Sequence, residues 1–186
     1  MQMPARKPIK RRYLLLPMIS CALMAAPVWA IPGFRSLPVA SPEQQTYLRS
    51  RAMAVVLVRE ALPRLNPRDA RSGMRVIWAL QQARFLVSSD ARSGQVCSAR
   101  QYSLFVNAYY RNQIFICDEV RPHARAADQD ALERIAQGFI HEAVHLTGEM
   151  DECVATRFER RVMDRTIGVQ SQGSQIRYGP QCRDRR

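Results

Sequence analysis

The chain has 186 residues, 47% of them hydrophobic, with 28 basic side chains against 16 acidic ones and a formal charge of +12. Nothing repeats and nothing is low-complexity, which excludes a repeat array, and no run of basic residues interleaves with aromatics as a specific nucleic-acid binder would require. About 150 residues suffice for one domain with a real core.

Residues 1–30 have the composition of an export signal. Arg6, Lys7, Lys10, Arg11 and Arg12 precede an apolar run over 13–26, and Val28-Trp29-Ala30 places small residues at the −3 and −1 positions of a cleavage site. The expected location is secreted or periplasmic. Met18-Ile19-Ser20-Cys21 is a loose lipoprotein box, so membrane attachment is expected only if the leader is retained or lipidated. Cleavage after Ala30 leaves 23 basic residues against 16 acidic, a charge of +7 carried by arginine alone. Such a surface suits anionic partners.

Residues 31–40, with Pro32, Gly33 and Pro38, read as an extended leader into a domain over 41–186. Ser41-Pro42-Glu43 reads as a helix start, since serine caps free amides, proline fits the first turn and an acid suits the dipole. That helix should run to about Leu62. Pro63 and Asn66-Pro67 then mark a turn-rich connection over 68–73, and the apolar residues of 74–87 suggest a strand followed by irregular structure. Two strand-forming runs, 104–109 and 113–117, flank Tyr110-Arg111-Asn112 and predict a β-hairpin. Residues 118–127 read as a polar connection carrying His123.

A central helix is expected from Asp128 or Asp130, with Leu132, Ile135, Phe139 and Ile140 recurring at three to four residues. Gly138 suits close packing, and Gly148 suits a helix stop with positive φ. Inside this helix lies His141-Glu142-Ala143-Val144-His145. Positions four apart share one helix face, so both imidazoles can reach one ion, and Glu142 can act as general base on a zinc-bound water. Glu149, Asp151 and Glu152 follow the glycine as candidate third ligands. Val154, Phe158, Val162 and Met163 then recur at helical spacing up to Gly168.

These residues resemble the zincin metallopeptidases in two ways. His141-Glu-x-x-His145-x-x-Gly148-x-x-Asp151 is similar to the metzincin pattern, which would make Asp151 the third ligand. Glu152-x-x-Ala155-x-x-Phe158 resembles the second-helix motif of gluzincins and their small relatives, which would make Glu152 the ligand. The helical spacing after Asp151 favours Glu152, with Asp151 as the alternative, and puts Met163 in a helix rather than in a metzincin methionine turn. The resemblance implies an α+β fold: a small antiparallel or mixed sheet, a central metal-binding helix and a second ligand helix. It further implies that Gln113 to Cys117 is an edge strand holding an extended substrate. Zn²⁺ is the expected cofactor, and a peptide or protein, including a peptidoglycan peptide, the expected substrate. The alternative is a secreted, non-catalytic binding domain on the same scaffold, with a structural metal or none.

Four cysteines follow the leader, and the sequential pairing Cys97–Cys117 and Cys153–Cys182 is expected. Each bridge would stabilise the fold by about 2–4 kcal/mol. Tyr178, near Cys182, is the expected oxyanion stabiliser, with Tyr109, Tyr110 and His123 as rivals.

Overall fold

A computed structural model describes residues 31–100, 103–167 and Cys182. The leader at 1–30 and Tyr178 lie outside the described residues. The fold is α+β, with a four-stranded mixed sheet in the order β1 (Phe34–Arg35), β2 (Arg84–Ser88), β4 (Gln113–Ile116), β3 (Leu104–Phe105). The α-helices are α1 (Pro42–Ala61), α2 (Pro67–Gln82), α3 (Ala91–Arg100), α4 (Arg121–Ala126), α5 (Gln129–Leu146) and α6 (Glu152–Thr166).

The strand period of two divides the core. Ile114 and Ile116 join the large cluster formed with α1, α2, α5 and α6, while Phe115 faces Phe34, Leu86, Phe105 and Cys97 on the other side. A Cys97–Cys117 disulfide ties α3 to the end of β4 beneath the sheet. On the helical side, Phe85 of β2 stacks on Phe139 of α5 with ring centroids 4.5 Å apart, and Tyr47 of α1 packs beside both. Ser50, Ala54 and Ala61 are among the buried positions of α1, and small side chains there let α5 and α6 approach. Helix α5 is thereby packed between α1, the sheet and α6.

Local signals set most helix starts. Ser41 Oγ accepts from Gln44 N, Asn66 Oδ1 from Asp69 N and Asp128 Oδ1 from Ala131 N, each satisfying an otherwise unpaired first-turn amide. The Asn66 cap, with Pro67 next to it, also explains the first departure from the sequence expectation. Residues 68–73 are the first turns of α2, not a connection, and the chain from Met74 to Gln82 continues that helix. Val76, Ile77 and Leu80 are its buried face, and the strand follows only at 84–88.

Other expectations are corrected in the sheet. The 31–40 leader contributes β1, antiparallel to β2, and so belongs to the domain. The hairpin forms, but its first strand ends at Phe105, because Asn107 begins a turn that closes with Asn112 in the left-handed region at φ 60°. The strand at 113–116 is internal, parallel to β2 on one side and antiparallel to β3 on the other. The edges are β1 and β3. Residues 118–126 are helical, a short 3₁₀ turn followed by α4, and His123 lies exposed on that helix. Among the described residues, no helix is long and apolar enough to cross a membrane.

Candidate metal centre

The central helix α5 presents His141 and His145 on one face, one turn apart, near its C-terminal end. Gly138, one turn earlier, allows β3 to lie against the helix: a Cβ there would meet Leu104 Cδ1 at 2.4 Å. The helix stops at Thr147, and Gly148 takes φ +95°, the left-handed conformation that reverses the chain. Asp151 then starts α6, its Oδ1 accepting from Cys153 N at 2.7 Å and Val154 N at 3.3 Å. This turn brings Glu152 back over the two histidines.

His141 Nε2 lies 2.9 Å from Glu152 Oε2, His145 Nε2 lies 3.3 Å from the same oxygen, and the two Nε2 atoms are 3.3 Å apart. A tetrahedral ion bonded at about 2.0–2.1 Å sets its ligands roughly 3.3 Å from one another. The three atoms therefore surround a point at which a cation fits, and the group can hold a metal ion.

The opposite ring nitrogens are occupied in a way that favours this use. His141 Nδ1 donates to Glu159 Oε2 at 3.1 Å, and His145 Nδ1 donates to the Glu149 carbonyl at 2.7 Å. Both rings are thus held in the tautomer that leaves the Nε2 lone pair toward the shared point, the usual outer support of metal-bound imidazoles. Glu159 is only 1% exposed, and Gln137 Nε2 donates to its other oxygen. The sequence expectation lacked Glu159, Gln137 and the Glu149 carbonyl. Glu159 had a readable signal, since it lies seven residues after Glu152 and so on the same face of α6, two turns on.

Among the candidates, Glu152 joins the histidines, whereas Asp151 caps α6 and the Glu149 carboxylate accepts from Asp151 N. Met163 is buried within α6. Tyr110 packs edge-on to Phe115, on the α3 side of the sheet, and Tyr109 is 91% exposed in the turn before β4. His123 is not part of the group found among the described residues.

Charge at the centre follows from burial and pairing. Burial alone would lower the pKa of His141, but its hydrogen bonds with Glu152 and Glu159 outweigh this and hold it up at about 10. Burial pushes Glu152 upward, yet the bonds from both imidazoles dominate and bring it down to about 2. Glu142 is buried beside the histidines, and burial raises its carboxyl despite the opposing imidazoles. It also accepts a hydrogen bond from the backbone of Val106, the residue after β3.

Comparison with known protein families, with curated proteins and with solved structures finds no match for this chain. The second disulfide, Cys153–Cys182, anchors the first turn of α6 beside Glu152. Two disulfides fit an oxidising environment outside the cytosol.

Proposed function

We propose that the protein is an exported, gluzincin-like zinc metallopeptidase in which His141, His145 and Glu152 hold the ion and Glu142 is the general base. The observation that carries this reading is the convergence of three ligand atoms at 2.9–3.3 Å spacing beside a buried glutamate. Two imidazoles and one carboxylate form a donor set suited to Zn²⁺. Three protein ligands among the described residues leave a coordination position for substrate chemistry. When bound, the ion supplies Lewis acidity at the scissile carbonyl and lowers the pKa of water to about 7.

The protein residues do the rest. Glu142 takes a proton from the attacking water at its carboxylate as the new C–O bond forms and then delivers it to the amine nitrogen, upon which the peptide C–N bond breaks. The Val106 amide holds the Glu142 carboxylate in place. The substrate is a peptide or protein segment in extended form. Its place is along β3, an edge strand packed against α5, because the chain leaving that strand contacts Glu142.

Elemental analysis of the oxidised protein tests the reading, with His141→Ala and Glu142→Gln measured alongside. One zinc per chain, lost in the first variant and kept in the second, with peptide hydrolysis abolished in Glu142→Gln, is expected. Zinc absent from wild type even after reconstitution would replace this reading by the non-catalytic binding domain.

A further inference from the structure

A concavity lies beside the C-terminal end of α5. It is a groove of about 700 Å³ between α2 and α6. Its floor is apolar, formed by the buried side chains of Val76, Val144 and Phe158. Its rim is cationic: Arg68, Arg71 and Arg75 come from α2, and Arg157 and Arg161 from α6. Only two carboxylates, Asp69 and Glu149, share the lining, and Asp69 is already paired with Arg161. Arg68 and Arg71 are exposed and have no carboxylate partner among the described residues. The groove reaches the metal centre through Glu149, whose carbonyl holds His145.

We propose that this groove binds an acidic peptide segment, with apolar side chains on the floor and carboxylates in the guanidinium forks of the rim. The planar fork matches a carboxylate in two parallel hydrogen bonds, which a point charge would not do. The volume lies in the range of ligand pockets and accommodates a short stretch of chain. Shape and lining favour a peptide over the other anionic partners. A membrane surface is not convex on the scale of a groove with a buried floor. A single-stranded nucleic acid is held by bases stacked on exposed aromatic faces, and the one aromatic of this lining, Phe158, is buried, while a duplex is too wide for its floor. Resting on the peptidase reading, the segment is part of the substrate, so the enzyme selects chains with acidic residues to one side of the cleaved bond.

Binding is measurable without turnover. Fluorescence anisotropy would follow a fluorescein-labelled hexapeptide alternating glutamate and leucine, titrated with the Glu142→Gln protein, both zinc-loaded and metal-stripped. Saturable binding is expected in both forms, weakening with salt and absent for the glutamine–leucine analogue. The double variant Arg68→Glu, Arg71→Glu should weaken it by about tenfold or more through loss of two charge-assisted contacts. Arg68→Glu places an acid in the first turn of α2, where the dipole favours it, Arg71 is exposed, and circular dichroism checks that the fold is kept. Equal binding by the double variant overturns the proposal. So does failure of the acidic peptide while phosphatidylglycerol vesicles or tripolyphosphate bind in its place. Binding retained by the metal-stripped protein keeps the groove apart from the metal, so either reading can fail alone.

Discussion

The two imidazoles of the centre sit one helical turn apart, yet they are held by different kinds of partner. His141 is oriented by the side chain of Glu159, eighteen residues away on α6, whereas His145 is oriented by the backbone carbonyl of Glu149, four residues away in the turn. The first support is a buried carboxylate that depends on how α5 and α6 pack. The second belongs to the chain reversal itself and no side-chain replacement at Glu149 can remove it. One half of the site is thus open to direct mutation, and the other only through backbone geometry.

The strongest break in that comparison is loss of the group common to both halves. Glu152 Oε2 meets both Nε2 atoms, so Glu152→Ala should strip the metal from the protein under conditions where wild type is saturated, measured by elemental analysis after dialysis. Retention of a full equivalent of metal would mean that another residue completes the site.

Next in size is the support of His141 alone. Glu159→Gln keeps the volume of a buried side chain but replaces the charged acceptor of the Nδ1 proton. Metal affinity should fall by about 10–100-fold, read by competition with a chelating dye. The fold should survive, because Gln137 still has an amide partner to bond. An unchanged affinity would show that packing alone orients the His141 ring.

The support of His145 can be reached only through the turn. Gly148 has φ +95°, and a Cβ there would meet nothing within 4 Å, so Gly148→Ala costs backbone strain alone, about 1–2 kcal/mol. Thermal unfolding should shift down by about 2–8 °C for a chain of this size. If the strained turn displaces the Glu149 carbonyl, metal affinity falls with stability; if it does not, stability falls alone. Either result measures how far His145 depends on the turn.

The legibility of the sequence divides along the same line. Features that rest on residues close in the chain were readable: the Ser41 and Asp128 caps, the stop at Gly148, the two histidines four apart and the helical run after Asp151 that put Glu152 ahead of Asp151. The disulfide pairing also follows the sequential expectation. What was misread depended on contacts distant in sequence. In α2 the exposed Met74 and Trp78 add apolar residues to the solvent face and blur the helical period, so the segment read as a turn and then a strand. The strand at 113–116 was placed at the edge by the resemblance to zincins, and only its antiparallel neighbour is visible locally, whereas its parallel partner β2 comes from 25 or more residues earlier. Glu159 was missed for a similar reason: its burial is set by the packing of α6 on α5, and a glutamate in an amphipathic helix reads as solvent-facing.

The smallest effect sharpens the distinction between neighbours in sequence. Asp151 and Glu152 differ by one position, but Asp151 points its Oδ1 at the amides of Cys153 and Val154, while Glu152 turns its carboxylate to the histidines. Asp151→Ala should therefore cost the α6 cap, about 1 kcal/mol, and lower the unfolding midpoint by about 2–4 °C. The Cys153–Cys182 bridge remains to hold that first turn, so metal should stay at one equivalent. Asp151→Asn, which keeps a capping oxygen, should recover most of the stability. Metal lost in both variants would instead make Asp151 a ligand, and the turn at Gly148 would then have to bring it to the histidines in place of Glu152.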